Sequence, residues 1–162
     1  MTNLFQMYET DPQRERDGVE VAIKDPRGQP TGAVVILRRA GGGNRRYIYA
    51  LGRAMDPHRE IFANLDAPEN QQAAEDLETE VTQEAYADAV ILGWRNVHGR
   101  DGELLPFSRA AFLDLVRSCP NVWDQLRLAA LDMDRFRGNG HLKEDGEHLG
   151  KSFSGGSSGA NV

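Results

Sequence analysis

The chain has 162 residues, 40% hydrophobic and 27% charged, with a formal net charge of −6. This is the length of one domain with room for a tail, and the composition of an ordinary soluble protein. No apolar run reaches the ~18–20 residues of a membrane span, since the longest candidate, residues 87–94, contains Asp88. The net charge of −6 argues against wholesale nucleic-acid binding, because extensive phosphate contact needs a clustered positive surface, so nucleic acid is not an expected partner.

Residues 1–17 are polar, carry Asp11-Pro12 and read as a loosely structured lead-in. They lack a basic segment followed by an apolar one, so no secretory leader is expected. A single cysteine, Cys119, leaves no internal disulfide and fits a reducing compartment. Residues 18–24 alternate Val19, Val21 and Ile23 with Glu20, Ala22 and Lys24, the period of a half-buried strand. Asp25-Pro26-Arg27-Gly28-Gln29-Pro30 is turn chemistry, and residues 31–39 carry the β-rich run Val34-Val35-Ile36-Leu37. The two strands make an antiparallel hairpin whose apolar face needs a cover.

Gly41-Gly42-Gly43 ends the second strand, and Asn44 is placed to cap a helix bearing Tyr47, Ile48, Leu51 and Met55 on one face. Asp56-Pro57 breaks it, and Ile61, Phe62 and Leu65 resume the pattern. Asp66-Ala67-Pro68-Glu69 opens a long amphipathic helix with Leu77, Val81, Ala85, Ala89 and Leu92 at spacings of three and four. It is expected to run to Trp94, whose ring would close it against Phe112 and Leu115. A loop with two glycines, residues 96–103, leads to extended Leu104-Leu105-Pro106-Phe107. Ser108 then caps a helix with Phe112, Leu115, Val116 and Cys119 on its apolar face, which makes Cys119 a small core residue. Pro120 opens a last helix through Val122, Leu126, Ala129, Met133 and Phe136. Residues 138–162 are rich in glycine and serine and are expected to form a flexible tail.

The expected fold is therefore α+β and mostly α: an N-terminal β-hairpin packed on a bundle of four to five helices. It occupies residues 18–137 as a single domain, followed by a disordered C-terminal tail.

Charge is unevenly distributed. Arg38, Arg39, Arg45, Arg46, Arg53 and Arg59 face one acid, Asp56, within residues 38–59, whereas residues 60–88 hold nine acids and no lysine or arginine. Two such blocks are expected to pair with each other across an interface. A nucleic-acid-binding adaptor would instead present the arginine block on an uncovered face.

No catalytic constellation emerges. His58, His98, His141 and His148 have no metal-ligand spacing, and Gly146-Glu147-His148-Leu149-Gly150-Lys151-Ser152 is one residue short of a phosphate-binding loop. No enzyme activity, cofactor or metal is expected.

Two phrases carry a resemblance: Ala89-Val90-Ile91-Leu92-Gly93-Trp94-Arg95-Asn96-Val97, and Asp101-Gly102-Glu103-Leu104-Leu105-Pro106-Phe107-Ser108. Together with Pro120 and Trp123 in a Pro-x-x-Trp helix start, they resemble the tail assembly chaperones of long-tailed bacteriophages. Residues 19–65 look like that family's front half more loosely, so the resemblance covers residues 19–137. It implies a non-enzymatic protein that binds the tape measure protein, recruits tail tube protein and acts in the host cytoplasm. Such a protein is absent from the mature virion, and its self-association is left open. A structural head–tail joining protein is the neighbouring alternative.

Aromatic residues are favoured interface anchors, so Trp94, Pro106, Phe107 and Trp123 are the candidate partner-binding residues. Such chaperones are often made in a second, longer form by a −1 ribosomal slip, for which Gly150-Lys151 is the candidate position.

Overall fold

The computed structural model describes residues 3–138. The tail from residue 139 onward, with Gly150-Lys151, His141 and His148, lies outside the described residues.

The first segment is more regular than its composition suggests. Helix α1 (Leu4–Tyr8) starts at Asn3, whose side chain accepts from the backbone N–H groups of Phe5 and Gln6. Helix α2 (Pro12–Asp17) starts at Asp11, whose side chain accepts from Gln13, with Pro12 in the first turn. The Asp11 N–H also donates to the Phe136 carbonyl at 2.8 Å, fastening this segment to the far end of the described chain.

The hairpin forms as its alternation dictates, from β1 (Val19–Lys24) and β2 (Pro30–Leu37), with Val19 opposite Leu37 and Val21 opposite Val35. In the turn the Asp25 carboxylate accepts from the backbone of Arg27 and Gln29, while Gly28 takes φ +82°.

After the Gly41–Gly43 turn, α3 (Arg45–Met55) runs to a 3-10 turn (Asp56–His58), followed by α4 (Arg59–Ala63) and the long α5 (Pro68–Ala89). On α3 the inward stripe is Tyr47, Ala50, Leu51 and Ala54, and Ile48 points outward at 60% exposure. Small residues make the tight α3–α5 contact, with Ala50 against Ala85 and Ala89.

The helix expected to continue to Trp94 stops at Ala89. Residues Ile91–Arg95 form a third strand, β3, antiparallel to β2, with Val34 opposite Arg95 and Val35 opposite Trp94. The sheet order is β1-β2-β3, so the hairpin is two-thirds of a three-stranded sheet. The reason is local and tertiary together. Val90 and Ile91 are β-branched and Gly93 is a poor helix former, while β2 presents a free edge whose N–H and C=O groups need partners.

Helices α6 (Arg109–Ser118) and α7 (Pro120–Leu131) and a 3-10 turn (Met133–Phe136) complete the described chain. Ser108 caps α6 by accepting from the Ala111 N–H. Cys119 is exposed, not a core residue. Its position before Pro120 forces it out of helical geometry, to φ −127° and ψ 78°, at the junction of two helices.

One face of the sheet meets the helices. Val21, Ile23, Val35, Leu37 and Ile91 pack with Tyr86, Val90, Phe112, Val116, Trp123, Leu126 and Phe136 in a single core. Each large side chain removed from water there stabilises the fold by about 1.5–3 kcal/mol. The opposite face carries Glu20, Ala22 and Arg95, where the Arg95 guanidinium reaches across β2 to grip Glu20 through both carboxylate oxygens at 2.5 and 2.7 Å.

Candidate functional site

The four aromatic and proline candidates divide into two groups. Trp123 is 5% exposed and stacks edge-on against Tyr86, with ring centroids 4.8 Å apart. Tyr86 in turn meets the edge of Tyr47 at 5.6 Å. Burial drives the Tyr86 hydroxyl far above the usual phenol range, as expected for a ring of α5 enclosed by α3 and α7. Trp123 is thus a core residue, and its sequence assignment as a partner-binding anchor is corrected.

Trp94, Pro106 and Phe107 come together. Trp94 does not close a helix against Phe112 and Leu115: it stands on β3, half-buried, and its Nε1 donates to the Leu105 carbonyl at 2.7 Å. Its ring meets the edge of Phe107 at 5.2 Å. Leu104 pairs with His98 in a single antiparallel bridge, and the Leu105 N–H donates to Val97 at 2.8 Å. These bonds pin the 96–107 loop to the end of β3. They leave Leu104, at 65% exposure, and Pro106 on the surface beside the two half-buried rings.

The charged blocks are arranged otherwise than expected. Acids of α5 pair with α6: Asp88 with Arg109 at 2.8 Å, and Glu84 and Glu80 with Arg117 at 3.5 and 3.6 Å. Asp88 holds the Arg109 guanidinium above its ordinary pKa through that hydrogen bond. The arginine block turns away from these acids. Arg39 pairs with Glu15 of α2 at 2.9 Å, Arg59 with its neighbour Asp56 at 2.6 Å, and Arg38 Nε donates to the Arg16 carbonyl at 2.7 Å. Arg45, Arg46 and Arg53 are exposed and form no ion pair among the described residues. The expected pairing of the 38–59 block with the 60–88 acids is corrected accordingly. The two partners lay close in sequence, but α3 and α5 meet through alanines rather than charges.

Among the described residues no group of three His, Cys, Asp or Glu side chains is placed to hold a metal ion, and no helix is long and apolar enough to cross a membrane.

A family model described as YdaY prophage protein matches residues 43–147. The chain belongs to the YdaY prophage protein family. The matched region starts at the turn before α3 and takes in β3, the 96–107 loop, α6 and α7, so the Trp94–Phe107 surface lies inside the family segment. Arg45, Arg46 and Arg53 lie inside it too, whereas the β1–β2 hairpin precedes it. No curated protein and no solved structure matches the chain.

Proposed function

We propose that this prophage protein is a tail assembly chaperone. It binds the tape measure protein, keeps its long helices from associating wrongly and promotes assembly of tail tube protein around it. It works by binding and not by catalysis, in the host cytoplasm, and leaves before the virion is mature. Membership of a prophage family supports the setting. The resemblance of residues 89–108 to phage tail assembly chaperones supports the role.

The observation that carries the reading is the Trp94–Phe107 surface. The two phrases that carry the resemblance fold against each other through the Trp94 hydrogen bond and ring contact, and they present Leu104 and Pro106 outward on a pinned loop. Exposed apolar side chains beside rigid aromatic rings suit an apolar helical stripe.

The test is co-expression with the cognate tape measure protein, followed by pull-down at about 0.1 M and 0.5 M salt. Apolar contact survives the higher salt, because screening weakens exposed charge pairs and leaves buried apolar surface unaffected. The expected result is retention at both salts and its loss in Leu104→Asp, whose exposed site keeps the fold intact. Failure to retain the tape measure protein, tried also with any frameshifted longer product, overturns the proposal. Presence of the chain in purified mature particles would favour the head–tail joining role instead.

A further inference from the structure

Two of the arginines that found no acidic partner, Arg45 and Arg46, line a cleft of about 420 Å³ between α2, the end of β2 and the start of α3. Arg16, Arg38, Arg39, Arg45 and Arg46 border it, with Glu15 the one acid among its lining residues. In a chain of net charge −6 this is a concentrated reversal of sign.

The cleft is built and not merely crowded. Glu15 is held by Thr10 Oγ1 at 2.8 Å and grips Arg39 Nη1 at 2.9 Å. Gly42, at φ +56°, passes under the Arg39 guanidinium so closely that a Cβ there would lie 2.7 Å from Nη1. Arg38 is anchored through Nε to the Arg16 carbonyl, which leaves its two terminal nitrogens for another acceptor. Asn44 Oδ1 accepts from the Tyr47 N–H and so takes up one of the free donors at the start of α3.

From the cleft a stripe continues along the outer face of α3. Arg45, Arg46, Tyr49 and Arg53 fall at i, i+1, i+4 and i+8 and are all exposed, Tyr49 at 65%. Arg45 to Arg53 spans about 12 Å of helix at 1.5 Å per residue. A lone phosphate would occupy the cleft alone, whereas an extended row of cations with an interleaved aromatic suits a repeating anion. Duplex DNA offers about one phosphate charge per 1.7 Å of axis, so several fall within reach of the stripe.

The geometry points to a nucleic-acid-binding surface: Arg38, Arg45, Arg46 and Arg53 contact successive backbone phosphates, with Arg39 and Glu15 holding the cleft open. Contacts of this kind carry no base specificity. The surface is separate from the Trp94–Phe107 loop, and the tape measure pull-down neither depends on it nor reports on it.

The test is fluorescence anisotropy of a labelled 20-base-pair duplex with the full chain. Four phosphate contacts predict that affinity falls on the order of 100-fold between 50 and 200 mM salt. Arg45→Glu/Arg46→Glu, at exposed sites free of ion pairs among the described residues, is expected to weaken binding at 50 mM salt by at least tenfold with an unchanged melting temperature. Lys24→Glu, at the turn end of the hairpin and away from the cleft, is expected to leave it unaltered. Absence of binding at 50 mM salt, or equal binding by the Arg45/Arg46 variant, overturns the proposal. So does full displacement of the duplex by low-millimolar inorganic phosphate but not by chloride of the same ionic strength, which would mark a site for a single anion.

Discussion

Gly18 joins α2 to β1 at φ +84°, and a Cβ there would lie 2.8 Å from the Leu37 carbonyl oxygen and from Leu92 Cδ1. The backbone at that point must be left-handed and pressed against β2, which only glycine tolerates. Gly18→Ala is expected to cost more than about 1 kcal/mol, read as a lowered urea midpoint. The two tryptophans make a second contrast. Trp123 sits in the core beside Tyr86, so Trp123→Ala is expected to cost about 3–5 kcal/mol. Trp94 is half-buried at the edge of the core, and Trp94→Ala is expected to cost less, about 1–3 kcal/mol, for one hydrogen bond, one ring contact and partial apolar packing. Equal losses in the two variants would contradict their assigned positions. Nothing in the sequence separates these residues, because neither belongs to a helical stripe read from it and only their neighbours in the fold differ.

β3 shows where pattern reading fails on an element. Leu77, Val81, Ala85 and Ala89 follow the helical period, and Leu92 extends it by chance, so the pattern alone carries the helix through the strand. The local signal against it was the pair Val90-Ile91 followed by Gly93. Pairing with β2 outweighed it, placing Ile91 in the core and turning Leu92 outward at 39% exposure. Gly93 has ordinary φ, and a Cβ there would meet nothing within 4 Å. Gly93→Ala is therefore expected to be neutral or to stabilise by about 0.5–1 kcal/mol, since alanine narrows the unfolded ensemble. A large loss of stability would mean that β3 is not the strand described. Other elements were legible because their signals are local: the hairpin from its alternation and turn residues, α6 from Ser108, and α7 from Pro120 in its first turn.

Across the whole molecule, exposed ion pairs clip distant elements together: Arg95–Glu20 spans the sheet, and Arg100–Asp114 ties the 96–103 loop to α6. The arginine hydrogen bonds lower the pKa of Glu20 and of Asp114 below the ordinary carboxylate values. A depressed carboxylate stabilises the fold above its ordinary pKa, and that contribution fades as pH falls through the lowered folded value. Thermal stability is thus expected to be level from about pH 7 to 5 and to drop below about pH 4. The drop should be shallower in Glu20→Gln/Asp114→Asn, though modest in any case because both pairs face solvent. Identical acid profiles for the variant and the parent would show that these pairs do not couple to folding.

The sequence by itself determined the elements whose causes lie within a few residues, and with them the α+β class and the absence of a membrane-spanning helix among the described residues. It also marked the Gly93-Trp94 to Ser108 region and the arginine block as unusual. Tertiary structure decided the rest. It made residues 91–95 a strand, sent Trp123 inward, set Trp94 with Phe107 half-buried at the edge of the core, and paired the α5 acids with α6 so that Arg45, Arg46 and Arg53 stayed uncovered. The physical reason is the same in each case. Period and capping are settled by neighbours along the chain, whereas edge pairing, burial and charge partners depend on groups that the fold brings from far away.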